Sequence, residues 1–256
     1  MLDRAYTAGM DTRHPSTETG GAAASSPAKL RHLAYERFRE QVLDARLRPG
    51  QFVSQQELTL MLGMPLGAVR EMIPRLEAAR LLSTVPKRGL QIAHVDLKLI
   101  RNAFQLRSMI EREAVSNFVR CASDKELAGI ADAHRKMLLR AQRESHDAAL
   151  DKEALALDWG LHHRMVDAMD NEIVSDIYRV NSLHIKLIRI DSELARPMRV
   201  VPAMQEHLAF IKALQARDES GAVALMDEHL SASRRRVLAR ASGLEEEDKG
   251  FQLRTG

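Results

Sequence analysis

Cysteine is almost absent from this chain. Cys121 stands alone, so an internal disulfide framework is excluded, and its place at a helical apolar position predicts a small core side chain. Long apolar runs are missing as well. The hydrophobic stretches are short and broken by charge, which excludes a membrane-spanning helix. The N-terminus lacks an apolar signal-peptide core, so a cytoplasmic protein is expected. From residue 96 onward there is no strand-like alternation, only helical periods. What is present is 256 residues with 45% hydrophobic side chains, enough for one large globular domain or two ordinary ones.

Charge is unevenly spread. Lys29 to Val95 holds eleven Lys and Arg against six Asp and Glu, a surplus of five in a chain whose net charge is +3, so the remainder is slightly acidic. A basic N-terminal third fits a polyanionic partner, with a solvated surface as the alternative. Residues 1–28, rich in Ser, Thr, Gly and Ala without helical or strand period, read as a disordered tail. Residues 241–256, with Glu245, Glu246, Glu247 and Asp248, read likewise.

Between these tails the sequence divides near residue 95. In the first part, 29–95, Leu30, Leu33, Phe38, Val42 and Ala45 predict one face of a helix that stops at Arg48, Pro49 and Gly50. A second helix follows, capped by Ser54 with Glu57 three residues on and ended by Gly63; Leu58, Met61 and Leu62 form its apolar face. A third runs from about Gly67 to Arg80 with Val69, Ile73 and Leu76 inward. Pro74 inside it has no N–H for the carbonyl of Arg70, so a kink or a shortened helix is expected, at a cost of roughly 3 kcal/mol. Leu82 to Val85 and Leu90 to Ala93, joined by Pro86-Lys87-Arg88-Gly89, predict a hairpin with a basic tip. Two helices joined tightly and followed by such a hairpin make a winged helix-turn-helix.

Arg48-Pro49-Gly50, Glu57-Leu58, Leu62-Gly63, Val69-Arg70-Glu71, Arg75-Leu76-Glu77 and Arg88-Gly89 together resemble the winged helix of GntR-type bacterial transcription regulators. The resemblance implies a recognition helix in the major groove and a wing tip toward the minor groove of double-stranded operator DNA. The DNA-facing residues it implies are Gln56, Gly67, Ala68, Arg70, Lys87, Arg88 and Gly89. Pro65-Leu66 replaces the Ser-Arg or Thr-Arg that usually opens the recognition helix, so the operator sequence does not carry over from relatives.

The second part, 96–240, predicts six helices beginning near residues 96, 123, 151, 171, 203 and 219, with Asp96, Ser123 and Asp218 as N-caps and Pro197 and Pro202 in one long connection. An antiparallel helical bundle is the expected architecture, so the chain as a whole is mainly α. Its apolar faces have polar interruptions. Asp158 and His162 interrupt the stripe Leu155, Met165, Met169; His207 interrupts Met204, Ile211, Leu214; His229 interrupts Ala222, Leu225, Ala232. A buried carboxylate and three imidazoles without partners would cost on the order of 2 to 7 kcal/mol each. A shared divalent cation satisfies all four. Zn²⁺ is the default, and Ni²⁺, Mn²⁺ or Fe²⁺ suit the same donors.

Asp158-x-x-Leu-His162, Glu206-His207 and Asp227-Glu228-His229-Leu230, behind a GntR-like winged helix, resemble the FCD effector domain of the FadR subfamily. That resemblance implies that Asp158, His162, His207 and His229 bind the metal and that a small carboxylic acid completes its coordination and alters DNA binding. Arg107, in Leu106-Arg107-Ser108-Met109-Ile110-Glu111, is similar to an arginine that faces the effector cavity, where it can fork onto a carboxylate; a surface salt bridge is its alternative. His163 is expected to point away from the site, His184 to reach the cavity or pack, and Trp159 to serve core or interface. The function implied is a ligand-responsive regulator, not an enzyme. It is expected to be a homodimer, since one winged helix reads one half-site. A metal-responsive regulator without organic effector, or a metal-dependent hydrolase, are the alternatives; the hydrolase lacks an evident general base.

Overall fold

Each helix start that the sequence marks with a capping residue is used. The computed structural model describes residues 26–144, 147–191 and 199–242. In it the side chains of Ser54, Asp96, Ser123 and Asp218 each accept the backbone N–H three residues on, satisfying a donor the helix itself leaves open. Helix α1 (Pro27–Leu43) is followed by β1 (Phe52–Val53), α2 (Gln55–Leu62), α3 (Leu66–Ala78), β2 (Leu82–Val85) and β3 (Gly89–Ile92). Then come α4 (Leu97–Cys121), α5 (Asp124–Arg143), α6 (Ala148–Asp167), α7 (Glu172–Ile190), α8 (Val200–Gln215) and α9 (Glu219–Ala241). The mainly helical architecture with a small sheet is as expected, and no described helix is long and apolar enough to cross a membrane.

Helix α1 differs from its expected face and length. It begins inside the segment read as a tail, with Ser26 as cap, and buries Ala34, Tyr35, Phe38, Gln41 and Val42, while Leu33 is 40% exposed. It stops well before Pro49. Ala45 takes a left-handed φ of 57°, and the N–H groups of Arg46 and Leu47 both turn back to the carbonyl of Gln41. That turn swings Leu47, not Ala45, into the core.

Helix α2 carries the expected capping box and ends at Gly63, whose φ of 58° is left-handed. Arg37 of α1 reaches across to donate to the carbonyls of Leu62 at 2.7 Å and Gly63 at 2.9 Å, closing the end of α2. Helix α3 runs unbroken through Pro74. The proline is exposed, so the carbonyl it leaves without an amide lies on the solvent side, and the helix neither ends nor shortens there. The wing hairpin forms with Val85 opposite Gly89, and β3 also pairs with β1, Phe52 opposite Gln91. The sheet therefore has three strands in the order β1-β3-β2. Two residues are too few for an alternation to show in a sequence, which is why β1 was not expected.

All six expected helices of the second part are present. Helix α6 begins earlier, capped by Asp147, and α8 begins at Val200. Pro197 and most of both expected tails lie outside the described residues, and α9 continues through Ala241. Cys121 is not a core residue. It ends α4 on the exposed side, receiving a weak bond from Asn117 at 3.5 Å, because Phe118, Val119 and Ala122 take the inward positions of that turn.

Two of the three apolar clusters among the described residues organise the chain. One combines the winged helix with Leu183, Ile185, Leu187 and Ile188 of α7 and Val237 of α9. The other fills the bundle with Phe118, Leu127, Leu161, Met165, Tyr178, Phe210 and Leu214 among its members. Helix α7 thus belongs to both halves of the molecule.

Candidate metal centre

Three helices of the bundle bring Asp158, His162, His207 and His229 together. Asp158 and His162 lie one turn apart on α6, His207 comes from α8 and His229 from α9, and one ligand atom from each lies within 4.8 Å of all the others. Asp158, His162 and His207 are buried, and His229 sits at the rim. Their stripes are turned slightly from expectation. Ala154, Leu161 and Val166 accompany Asp158 and His162 inward, while Leu155, Met169, Leu225 and Ala232 are half-buried.

The ring nitrogens decide what this cluster can hold. His162 Nδ1 donates to Glu111 Oε2 at 2.7 Å, and His229 Nδ1 donates to Glu206 Oε2 at 2.7 Å. His207 Nδ1 lies 3.2 Å from His134 Nε2, and His134 Nδ1 lies 2.8 Å from the carbonyl of Ile130. A carbonyl only accepts, so His134 carries its proton on Nδ1 and its Nε2 is an acceptor; His207 must therefore donate from Nδ1. With Nδ1 so engaged, Nε2 is the nitrogen that each of the three histidines has left for a metal. The Nε2 atoms of His162 and His207 are buried without a hydrogen-bond partner. His207 Nε2 also faces Asp158 Oδ1 at 3.4 Å, two acceptors turned toward each other. A cation resolves that contact.

Electrostatics keeps His162, His207 and Asp158 in their ligating forms. Burial pushes His207 well below the ordinary imidazole range, and burial likewise lowers His162 against the pull of Glu111. Burial opposes ionisation of Asp158, but His207, His162 and Arg189 outweigh it and hold the carboxylate below its usual range. The same holds for Glu111, where burial is overcome by Arg107, His162 and a hydrogen bond from Tyr178. Three imidazoles and one carboxylate form a donor set suited to a divalent transition metal. Carboxylates and a histidine behind the ligands fix ring orientation and raise ligand basicity.

The residues behind the ligands were not expected from the sequence. Glu111 receives Arg107 Nε at 2.5 Å, Tyr178 Oη at 2.6 Å and His162. Glu111 and His134 do interrupt the apolar stripes of α4 and α5, the same signal that marked the ligands. Arg107 is buried in its ion pair with Glu111, which overturns the surface salt bridge as its alternative, and stands over the Trp159 ring at 4.7 Å. Arg107, Asp158, Glu206 and His229 line a cavity of about 110 Å³, with Phe104, Ile185, Ile188 and Val237 as its apolar wall. His184 lies elsewhere: its Nε2 meets the carbonyl of Ala79 at 3.0 Å. His163 packs edge-on against Tyr178, and burial pushes its imidazole down to about 4.

In the winged helix, Gln56, Gly67, Arg70, Lys87 and Arg88 are exposed. Arg70 donates from Nε to Gln55 at 3.1 Å, and Arg88 lies over the Phe52 ring at 3.9 Å. Gly89 has a φ of +96°, and a Cβ there would approach the carbonyl of Val53 to 3.1 Å. Ala68 is only 7% exposed and faces the core beside Val69 and Met72; as a DNA-facing residue it is a correction, because its position on α3 turns toward the domain interior.

The family model of the FCD domain matches residues 102–232, just over half of the chain. The chain belongs to the FCD-domain family. Among relatives of the FCD chain, the Nta operon transcriptional regulator of Aminobacter aminovorans is 27% identical over 184 residues, covering 72% of this chain and 82% of that protein. Among solved structures, Escherichia coli McbR/YncC superposes with a TM-score of 0.69 at 16% identity, covering 82% of this chain and 98% of that one. A transcriptional regulator GntR from Rhodococcus sp. RHA1 gives 0.66 at 17% identity, covering 83% and 98%. The curated relatives are transcriptional regulators, and the fold is that of the GntR regulator from Rhodococcus.

Proposed function

We propose that this FCD chain is a FadR-type regulator in which a winged helix, residues 29–95, binds operator DNA under control of a helical domain, residues 96–240. Asp158, His162, His207 and His229 hold a divalent metal, Zn²⁺ by default. A small carboxylic acid would occupy the adjoining cavity, where the metal would supply a positive centre for it and Arg107 would fork onto its carboxylate. Gln56, Gly67, Arg70, Lys87, Arg88 and Gly89 form the DNA surface, in a homodimer that reads a two-fold operator.

One observation carries this reading. His162 and His207 bury unpartnered Nε2 atoms beside Asp158 and His229, at the wall of a cavity that Arg107 also lines. When bound, the metal supplies a positive centre that attracts an anionic oxygen. The chain's own residues do the rest. Glu111 holds both His162 and Arg107, so the ligand set and the anion-binding guanidinium share one anchor. An effector that settles differently in DNA-competent and incompetent states shifts operator affinity by about 5- to 150-fold.

The test is metal analysis of the full-length protein, followed by operator titrations with and without organic acids. Stoichiometric metal that is lost in His207→Ala, together with an acid that shifts operator affinity only in the metal-bound protein, is the expected result. A tight acid effect in protein stripped of metal would remove the metal from the mechanism. Operator affinity that answers to metal alone would favour the metal-responsive alternative.

A further inference from the structure

The cavity beside the metal centre has two ends. At one, Asp158 and His229 meet Arg107, whose Nη2 is buried without a protein partner. From there the cavity face of α9 continues through Ser233 and Arg236 to Arg240, steps of four, three and four that keep these side chains on one stripe. At the rise of an α-helix, Arg236 and Arg240 lie about 10 and 16 Å along the axis from His229.

Helix α8 arrives at the same distant end. The contact between Glu206 and His229 joins α8 to α9, and the short turn between these helices makes them antiparallel. Going back along α8 from Glu206 reaches Arg199 at the level that α9 reaches with Arg236. Arg199, Pro202 and Ala203 line this end. Helix α8 starts there without a side-chain cap, so its positive dipole end adds to the guanidinium charge.

We propose that the effector is an organic acid with a second anionic group, one group held at the metal centre beside Arg107 and the other among Arg199, Arg236 and Arg240 where α8 begins. This rests on reading the cavity as the effector site. Among the described lining residues, Asp158 belongs to the ligand cluster and Glu206 holds His229. A monoacid would lay its aliphatic end against guanidinium groups. A diacid instead offers them a carboxylate in the forked geometry they favour. Arg199, Arg236 and Arg240 already engage other groups of the protein, and the anion joins that network. The connecting carbon chain lies along Phe104, Ile185, Ile188 and Val237. A volume of about 110 Å³ suits a small acid.

The full-length, metal-loaded protein is titrated calorimetrically with acids matched in length: butyrate against succinate, valerate against glutarate, hexanoate against adipate. At one or more lengths the diacid is expected to bind roughly ten- to a hundredfold more tightly, the worth of one charge-assisted contact. The double variant Arg236→Gln with Arg240→Gln is expected to bring the diacid down to the monoacid level while metal content and monoacid affinity stay unchanged. Equal or weaker binding of the diacid at every length overturns the proposal, as does a diacid preference that survives in the double variant; in both cases monoacid binding leaves the effector-site reading intact. No heat from any acid on fully metallated protein overturns both. If the double variant fails to fold, the matched acids on the unaltered chain decide alone.

Discussion

His184 of α7 holds the carbonyl oxygen of Ala79, the residue that closes helix α3, at 3.0 Å from its Nε2. The same helix lines the cavity beside the candidate metal centre with Ile185, Ile188 and Arg189, the last lying 3.9 Å from Asp158. One rigid element therefore touches the candidate metal centre and the end of the candidate recognition helix. A shift of α7 would carry to α3 through this bond and the shared apolar cluster.

For that reason His184→Gln is expected to leave metal content unchanged while weakening the effect of an acid effector on operator affinity. Operator titrations with and without effector measure the coupling. A variant whose coupling equals that of the parent would show that α7 transmits nothing through this bond.

His184 also has a pH signature. Burial lowers its imidazole pKa against the pull of the Ala79 carbonyl, and its Nδ1 is buried without a partner, so protonation would create a stranded donor. With the folded value below the unfolded one of about 6.5, the unfolded state binds more protons, and stability falls as pH drops through and below that value. Melting scans from pH 7.5 to 5 should show a shallower loss in His184→Gln than in the parent. Parallel curves would remove His184 from the pH response.

Glu111→Gln tests the layer behind the ligands. The substitution keeps size but removes the charge that orients His162 and neutralises Arg107. Metal affinity is expected to fall roughly 10- to 100-fold, and stability by about 3 to 5 kcal/mol, because a buried guanidinium loses its partner. Competitive metal titration and denaturant unfolding measure the two. Undiminished metal affinity would mean that His162 is held well enough by packing alone.

Removing the metal should loosen the bundle, since one ion would join α6, α8 and α9. Binding at one hundred times the dissociation constant stabilises by about 2.7 kcal/mol. Chelation followed by a melting scan is expected to lower the midpoint, and His207→Ala to abolish that difference. A midpoint indifferent to chelator in protein shown to contain metal would contradict a structural role for the ion.

On the DNA side, Arg70→Ala is expected to weaken operator binding roughly ten- to a hundredfold more than random-sequence binding, as for an arginine that reads a base edge. Lys87→Ala and Arg88→Ala should weaken both more evenly. Binding series at constant salt compare them. Equal loss on both DNAs in Arg70→Ala would make it a backbone contact.

The sequence by itself determined what is local. Ser54, Asp96, Ser123 and Asp218 start helices because a short polar side chain meets an open amide three residues on, and Gly63 stops one because it accepts a left-handed φ. The helical period likewise placed Asp158, His162, His207 and His229 on inward faces, since it records which side of a helix is apolar. Which groups meet across helices has no such period. Glu111 finds His162 from 51 residues away and His134 finds His207 from 73, so the protonation of the ligand nitrogens followed only from packing. Tertiary structure also turned Ala68 inward and Cys121 outward, added β1 to the sheet, and brought α7 against α3. In each case the decision lay in how an element is rotated against its neighbours, and that rotation is set by the fit of side chains distant in the chain.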